Sequence, residues 1–236
     1  MKKILRKYIP ENVICQARHI QNFSQYKTKR NNADKYIYKS FDKHKCIFVH
    51  IPKTGGISVA RALFDQRGGH MTARYYKQLF GVFTFNKYFS FAFVRNPYSR
   101  LFSAYNFLME GGYDERDKKW AAENIIHYET FHEFVKKWLD RENIYKKNHF
   151  VPQSHYVCNQ NFEIQVDFIG RFEKLNVDFQ EICNKLNIDS KLPHYNSSST
   201  KKNWRTFYDK QTLKMVEDIY QKDFEAFGYD RLSKYL

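Results

Sequence analysis

The amino-acid sequence predicts an α/β fold, with a mostly parallel central sheet flanked by helices on both faces. Two stretches support this prediction, because each has the pattern of a short buried strand, a polar turn and a helix. They are Cys46–Ala60 (CIFVHIPKTGGISVA) and Phe89–Tyr105 (FSFAFVRNPYSRLFSAY). A chain of 236 residues is long enough for one domain with a substantial core.

The first stretch is typical of a turn that binds an anion. The β-prone run Cys46–Val49 is broken at Pro52, and the turn Lys53–Gly56 leads into a run with helical spacing from Ile57. Two glycines in the turn are expected to supply backbone angles that other residues tolerate poorly. Amides at a helix start, the helix dipole and a lysine all favour a phosphate-like group. The nucleotide triphosphatase pattern G-x-x-x-x-G-K-[ST] is not met, because Lys53 precedes the glycines.

The second stretch repeats this arrangement. Phe91–Val94 is a predicted buried strand, Asn96 a good N-cap and Pro97 a suitable first helical residue. Arg95 therefore lies at the carboxyl end of a strand, where ligands bind in open α/β sheets. The side chains on the next helical turns include Ser99, Arg100 and Ser103. Two such units indicate a ligand with anionic groups at both ends.

Further elements follow from local patterns. We expect a helix over Tyr128–Asp140 that begins with a capping box of Thr130 and Glu133. A strand is predicted at Asp167–Arg171. The remaining expectations are a helix Val177–Leu186 capped by Asn176, a C-terminal helix through Leu213, Val216, Tyr220, Phe224 and Phe227 that ends at Gly228, and free thiols at Cys15, Cys46, Cys158 and Cys183.

Together, HIPKTGGIS and FAFVRNPYSRLFSAY resemble the carbohydrate sulfotransferases that use 3′-phosphoadenosine 5′-phosphosulfate (PAPS), and most of all the glycan branch that includes heparan sulfate 2-O- and 6-O-sulfotransferases. The resemblance continues in VPQSHYV, FIGRFEKLNVDFQEIC and IYQKDFEAFGY, and covers Lys45 to Tyr229. It implies a P-loop-like three-layer fold. The implied reaction is in-line transfer of a sulfuryl group from PAPS to a hydroxyl of a glycan or glycolipid, which leaves PAP.

The resemblance also implies roles for individual residues. Lys53 would stabilise the charge that builds on the bridging oxygen in the transition state, which makes it catalytic as well as cofactor-binding. Sulfuryl transfer places less negative charge on the reacting group than phosphoryl transfer does, so no metal site is expected. The positions matched to the cofactor are Lys53, Thr54, Gly55, Gly56, Ile57 and Ser58 for the 5′-phosphosulfate, Arg95 and Ser103 for the 3′-phosphate, and Ser199, Lys201 and Lys202 in a late basic loop.

A base is needed as well, because an acceptor hydroxyl is a poor nucleophile at neutral pH. The 6-O-sulfotransferases carry a histidine base just after a glycine-containing loop between the two motifs. His70 follows Gly68 and Gly69 and matches that placement. His155 is the main rival, and His149 and Glu173 are weaker ones.

The loop Lys146–Tyr156 has two open interpretations. It is polar and carries His149, Gln153 and His155. These side chains either form a substrate-facing lip that binds the acceptor or belong to an ordinary surface connection.

Composition points to anionic partners. Forty Lys and Arg against 25 Asp and Glu leave a net charge of +15. Two alternatives to a sulfotransferase remain: a P-loop-type nucleotide or sugar kinase, and a non-catalytic glycan- or nucleic-acid-binding protein. The second leaves the joint occurrence of Lys53 and Arg95 unexplained, so no nucleic-acid partner is expected.

The N-terminal part is predicted to be a basic lead-in segment, residues 1–44, before a sulfotransferase domain, residues 45–236. It begins with Lys2, Lys3, Arg6 and Lys7, and no apolar stretch of the length of a signal peptide or membrane span follows. Eukaryotic relatives in the glycan branch are membrane-anchored Golgi enzymes. The sequence therefore indicates either a cytoplasmic bacterial enzyme or a chain whose anchor has been removed.

Overall fold

A computed structural model describes residues 9–32, 36–192 and 203–235. The predicted α/β class is confirmed, because a parallel sheet is flanked by helices. In chain order the helices and strands are α1 (Glu11–Gln21), α2 (Phe23–Asn31), α3 (Tyr38–His44), β1 (Cys46–Val49), α4 (Gly56–Phe64), α5 (Ala73–Phe80), α6 (Val82–Lys87), β2 (Phe89–Val94), α7 (Pro97–Met109), α8 (Glu115–Asn124), α9 (Phe131–Lys137), α10 (Gln153–Val157), β3 (Phe168–Arg171), α11 (Leu175–Leu186), α12 (Lys210–Ile219) and α13 (Gln221–Phe227).

The sheet has the order β1-β2-β3, and both pairs of strands are parallel. Phe91 of β2 is paired with Phe48 of β1 on one side and with Phe168 of β3 on the other. All of β1 is buried, as is β2 after its first residue, which is the pattern of a sheet covered on both faces. Because the strands are parallel, β1 and β2 end at the same edge of the sheet.

The described residues form two compact units, which we treat separately. The first unit comprises residues 9–32, 36–51, 55–94 and 154–192, and contains the sheet. The second comprises residues 52–54, 95–153 and 203–235. Helices α1 to α3, within the predicted lead-in segment, all belong to the first unit. The boundary between a lead-in segment and a catalytic domain at residue 45 stays a prediction.

Aromatic rings dominate the core of each unit. In the first, the ring of Phe41 lies 5.7 Å from that of Tyr76 between centroids. In the second, Phe134, Trp138 and Phe150 pack with centroid distances of 5.0 to 5.4 Å. The abundant Phe and Tyr residues therefore serve largely as core, an interior that such rings fill efficiently.

The start of α7 confirms its sequence signal. Asn96 Oδ1 accepts hydrogen bonds from the amides of Tyr98 (3.1 Å) and Ser99 (3.3 Å), and Pro97 is the first helical residue. The predicted strand near residue 167 is also present, although it begins at Phe168. Asp167 instead accepts hydrogen bonds from the Ser90 amide and hydroxyl, each 2.8 Å long.

Three helix predictions need correction. Helix α9 is shorter than Tyr128–Asp140, and its capping box is incomplete because Glu133 Oε2 accepts from the Glu129 amide rather than from that of Thr130. Asn176 is not an N-cap, since α11 begins one residue before it.

The predicted C-terminal helix is two helices, α12 and α13, which meet at Tyr220. Its predicted end is right, because Gly228 has a φ of 62° and terminates α13. All four cysteines are free thiols, and all but Cys158 are buried.

Candidate functional site

The turn after β1 confirms one glycine prediction and corrects the other. Gly55 has a φ of 80°, and Lys53, unusually for a residue with a side chain, has a φ of 69°. Gly56 has an ordinary helical backbone, so the prediction of an unusual angle there is wrong. A Cβ atom at Gly56 would lie 2.0 Å from Cδ2 of His50, so this glycine is required by close packing instead.

Helix α4 begins without a side-chain cap among the described residues. Its N-cap is Gly55, which has no side chain to offer, and the Ser58 amide donates to the Gly55 carbonyl over 3.1 Å. Thr54 is buried, whereas Ile57 is exposed. The first amides of such a helix are the groups that anions bind in other proteins.

Four side chains that follow β1 and β2 meet in the second unit, and we call them the cation cluster: Lys53, Arg95, Ser99 and Phe107. Arg95 donates from Nη1 to the Lys53 carbonyl (3.2 Å) and from Nε to Ser99 Oγ (3.0 Å). The Lys53 ammonium lies 3.9 Å from the centroid of the Phe107 ring, a cation–π contact. The two cations predicted from separate motifs are therefore brought together.

The environment of Lys53 disfavours its positive charge. Burial and the nearby Arg95 guanidinium lower the pKa of Lys53 to about 8, although Glu110 and Asp117 partly offset this. Within the described ranges Lys53 forms no ion pair with a carboxylate. Asp117 is instead paired with Lys147 over 2.6 Å. A bound anion would offset both the cost of desolvating the Lys53 ammonium and the repulsion between the two cations.

Ser103 lies on the same face of α7 as Ser99 and Phe107, because the three are spaced four residues apart. Its side chain is half-buried. Of the predicted 3′-phosphate residues, Arg95 thus precedes α7 and Ser103 lies within that helix. Ser199, Lys201 and Lys202 lie outside the described residues.

Two buried polar residues hold the main chain around the cation cluster. Arg100 donates to three carbonyls, those of Pro52 (3.0 Å), His149 (3.3 Å) and Val151 (2.8 Å). Gln153 is completely buried, and its amide accepts from the Arg95 N–H and donates to the Arg95 carbonyl, each over 2.8 Å. Sequence reasoning missed both of these roles. The local sequence signal for the role of Arg100 was that this basic residue lies next to the apolar positions of α7.

Two histidines form a second group, in the first unit, which we call the histidine pair: His50 and His70. Nδ1 of His70 lies 3.0 Å from the His50 carbonyl oxygen, and the ring centroids are 4.3 Å apart. His50 is buried and stacks on Phe48. Burial, with a smaller effect of His70, keeps the pKa of His50 well below that of a free imidazole. His50 is therefore neutral, and its role was not predicted.

The other candidate bases lie in different settings. His149 is buried, and its ring centroid is 5.0 Å from that of Phe107. The side chain of His155 is exposed, and desolvation by its surroundings lowers its pKa. Glu173 lies in the short 3-10 helix before α11. The predicted loop Lys146–Tyr156 is wrong at its C-terminal end, because α10 begins at Gln153 and Gln153 is buried. The acceptor-binding roles of His149 and His155 stay predictions.

A cavity of about 490 Å³ lies in the second unit, away from the predicted site residues. Its walls combine rings with a polar edge, and none of the predicted cofactor or base residues lines it. The lining residues are Phe102, Tyr105, Asn106, Glu129, Thr130, Phe131, His132, Thr206, Phe207, Tyr208 and Asp209. Two of these rings, those of Phe102 and Phe207, pack with their centroids 4.5 Å apart.

Within the described part of the chain, no group of three or more His, Cys, Asp or Glu side chains has the arrangement of a metal site. None of the helices described is both long and apolar enough to cross a bilayer.

The fold is a parallel α/β sheet, and the glycine turn and the cation cluster follow its neighbouring strands β1 and β2 along the chain. The chain belongs to the sulfotransferase family, because the model of that family matches residues 36–230. It is 22% identical to carbohydrate sulfotransferase 12 of Xenopus laevis and 24% identical to that of Mus musculus, in both cases over 80% of this chain and 59% of the relative. It is 29% identical to carbohydrate sulfotransferase 14 of Danio rerio over 60% of this chain and 44% of the relative.

This chain thus spans about three fifths, or less, of the length of these relatives. No solved structure gives a significant match.

Proposed function

We propose that this protein transfers a sulfuryl group from PAPS to a hydroxyl of a carbohydrate. Membership of the sulfotransferase family supports the reaction class. The names of the relatives, all carbohydrate sulfotransferases, support the acceptor class. Two observations argue against a nucleotide or sugar kinase. The chain matches the sulfotransferase family, and its first turn does not have the triphosphatase pattern.

The observation that carries this proposal is the cation cluster. Lys53 and Arg95 follow neighbouring parallel strands, and the guanidinium of one hydrogen-bonds the carbonyl of the other. The Arg95 guanidinium repels the Lys53 ammonium, and burial weakens the solvation of Lys53, so both lower the pKa of Lys53. An anionic donor with a phosphosulfate and a second phosphate supplies the missing negative charge.

The residues fit such a donor. Arg95 and Ser103 would hold the 3′-phosphate, with Ser199, Lys201 and Lys202 of the following basic loop as further contacts. The turn Lys53-Thr54-Gly55-Gly56 and the start of α4, Ile57 and Ser58, would hold the phosphosulfate through main-chain amides and hydroxyls. When bound, the donor supplies the activated sulfuryl group and its leaving PAP.

Lys53 has a separate task in the reaction. The bond between sulfur and the bridging oxygen breaks as a bond from sulfur to the acceptor oxygen forms, and the electron pair of the broken bond stays on the bridging oxygen. A lysine ammonium at that oxygen stabilises the charge that develops there. Such a contact raises turnover, because it is stronger in the transition state than in the ground state.

His70 takes the proton from the acceptor hydroxyl in this proposal. A carbonyl oxygen only accepts hydrogen bonds, so Nδ1 of His70 must carry the hydrogen that points to His50. In the neutral ring the lone pair is then on Nε2, and Nε2 is the atom that accepts the acceptor's proton. The backbone of His50 thereby selects the tautomer that a base needs.

The acceptor itself is a glycan or glycolipid, with His149 and His155 as candidate contacts. Gln153 is not expected to contact the acceptor, because its side-chain oxygen and nitrogen both hydrogen-bond the Arg95 backbone.

The test is transfer of a radiolabelled sulfuryl group from PAPS to a panel of acidic glycans, neutral glycans and small phenols. Labelled glycans are expected. Labelled phenols alone would refute the acceptor class, and no transfer to any acceptor would refute the reaction.

A further inference from the structure

Helix α1 buries Cys15 and is also joined to the neighbouring helices by polar side chains. Surface helices normally bury an apolar stripe and expose polar residues. Here three polar side chains of α1 hydrogen-bond the neighbouring helices α5 and α6. These contacts join Asn12 Oδ1 to Lys77 Nζ (3.0 Å), Gln16 Oε1 to the Val82 amide (2.9 Å) and His19 Nδ1 to the Gln78 carbonyl (2.8 Å).

The outer side of the same helix is apolar. Val13 is 55% exposed and Ile20 is 66% exposed, and Ala17 between them is exposed as well. These positions are spaced i, i+4 and i+7, so they share one face. Ile9 before the helix and Phe23 just after it are also exposed, at 43% and 53%. We call this set the apolar stripe: Ile9, Val13, Ala17, Ile20 and Phe23.

Isolated exposed apolar side chains are normal, but a group of them marks a contact surface. Val13, Ala17 and Ile20 share one face of α1, and Ile9 and Phe23 lie just beyond its two ends. Helix α6 carries a further exposed ring. Phe83 of α6 is 83% exposed, and its neighbour Val82 is bonded to Gln16 of α1. Because the inner face of α1 is already held by three hydrogen bonds, the stripe is not required for packing of the first unit.

The sequence around the stripe is strongly basic. Between Ile9 and Asn31 the basic side chains are Arg18, Lys27, Lys29 and Arg30, against the single carboxylate of Glu11. The eight preceding residues add Lys2, Lys3, Arg6 and Lys7 and no carboxylate. Arg30 is paired with Asp42 over 2.6 Å, so the other seven dominate the local charge.

We propose that the apolar stripe docks on the surface of an anionic lipid bilayer. A helix with exposed Ile, Val and Phe side chains flanked by Lys and Arg has the chemistry of an interfacial helix, in which the apolar residues enter the headgroup region and the cations meet anionic lipids. A second copy of this chain is disfavoured as the occupant, because a self-complementary contact would bring the two basic segments together. Nucleic acid would use the charge but would leave the apolar stripe in water.

The test is co-sedimentation of the full chain with phosphatidylcholine vesicles that contain or lack phosphatidylglycerol. Wild type is expected to bind only the anionic vesicles, and less well as salt rises. The variant Ile20→Ser/Phe23→Ser should bind these vesicles at least about tenfold more weakly, since it loses most of the insertable surface. Val177→Ser on α11 is the matched control, because Val177 is 70% exposed but lies in a different helix, and it should bind like wild type.

Thermal unfolding should be the same for all three proteins, which separates docking from folding. Three results would overturn the proposal: equal vesicle binding by the double variant and wild type, equal binding to vesicles without anionic lipid, or no vesicle binding by wild type. Light scattering identifies the competing occupant. A wild-type dimer that the double variant fails to form would assign the stripe to a second copy.

Discussion

The Nδ1 atom of His70 lies 3.0 Å from the carbonyl oxygen of His50, and the two imidazole rings are 4.3 Å apart between centroids. This contact ties the loop after α4 to the residue that follows β1. His50 in turn lies against Gly56, the first residue of α4. The proposed base and the start of the proposed anion-binding helix therefore depend on the same residue, His50, through its carbonyl and its ring respectively.

Gly56→Ala should destabilise the protein and abolish most sulfuryl transfer. The new Cβ would lie 2.0 Å from His50 Cδ2 and 2.3 Å from its Nε2, so the ring must move. Overpacking of this kind costs about 1–3 kcal/mol of unfolding free energy. Urea unfolding measures the loss of stability, and transfer assays measure the loss of activity.

Gly69→Ala is the matched control, because its added Cβ would meet only Met71 Cε, at 3.8 Å. It should leave stability nearly unchanged. In the double variant Gly56→Ala/His50→Ala, removal of the ring should offset part of the overpacking, so the two changes should not be additive. Full additivity would show that Gly56 is required for a reason other than His50.

The desulfated product PAP should stabilise the protein against heat more than AMP or ATP does. A ligand that binds only the native state stabilises it by about 2.7 kcal/mol at one hundred times its Kd. PAP carries the 3′-phosphate that Arg95 and Ser103 are proposed to hold, and AMP and ATP lack it. Differential scanning fluorimetry at matched concentrations decides this. Equal stabilisation by AMP would remove the case for a 3′-phosphate site.

Lys53→Ala and Arg95→Ala should impair different properties, turnover in the first variant and PAP binding in the second. The first should depress turnover strongly while PAP binding survives in part, because the proposed task of Lys53 is in the transition state. The second should mainly weaken PAP binding, by about 1.5–3 kcal/mol for a charge-assisted contact. Calorimetry with PAP and single-turnover kinetics separate the two effects. Equal losses of binding without a separate rate defect would contradict this division of roles.

PAP affinity should fall as the pH rises above about 8. The pKa of Lys53 is lowered to about 8 in the folded protein, so the free enzyme loses this charge above that pH. A bound anion favours the protonated form, and binding at higher pH must then include proton uptake. Lys53→Arg is the control, because a guanidinium stays charged and its PAP affinity should vary less between pH 7 and 9. Calorimetry in buffers of different ionisation enthalpy reports the proton uptake directly.

The same shift has a consequence for stability. Because the folded pKa of Lys53 lies below its unfolded value, the unfolded chain binds more protons between about pH 8 and 10.5. The contribution of Lys53 to unfolding free energy therefore rises with pH across that window. At neutral pH the charged Lys53 lowers the free energy of unfolding of the unliganded protein. Such a destabilising charge is typical of a residue that binds a ligand or takes part in catalysis.

Local sequence patterns were enough to predict the elements nearest the candidate site. The runs Cys46–Val49 and Phe91–Val94 are apolar and end abruptly, and Asn96 and Pro97 mark the start of α7 with adjacent residues. Each of these signals depends on residues a few positions apart. A single sequence therefore contains all the information that such predictions need.

Contacts between distant residues were not predictable in this way. Arg100 bonds the carbonyl of Pro52, 48 positions earlier, and Gln153 bonds the backbone of Arg95 across 58 positions. The break between α12 and α13 occurs at Tyr220, whose hydroxyl donates to the Phe150 carbonyl over 2.7 Å. The apolar spacing through that break is continuous, so only the tertiary contact distinguishes two helices from one.

His70→Ala should lower turnover by about 10²–10⁴-fold, the usual contribution of a general base, and should change PAP affinity little. His50 offers its carbonyl whatever its side chain, so the hydrogen bond that orients His70 does not require the His50 ring. Gln in place of His70 is the conservative control, because it can donate to the same carbonyl but cannot accept a proton at neutral pH. It should keep stability and PAP binding while remaining inactive.

The pH profile of the wild type provides an independent readout of this role. Turnover should fall on acidification, because a protonated imidazole has no lone pair with which to accept the proton of the acceptor hydroxyl. His50 does not contribute to this profile, because its pKa is held well below that of a free imidazole. His155→Ala is the competing variant. A His70→Ala enzyme that keeps most of its activity, beside an inactive His155→Ala enzyme that still binds PAP, would assign the base to His155.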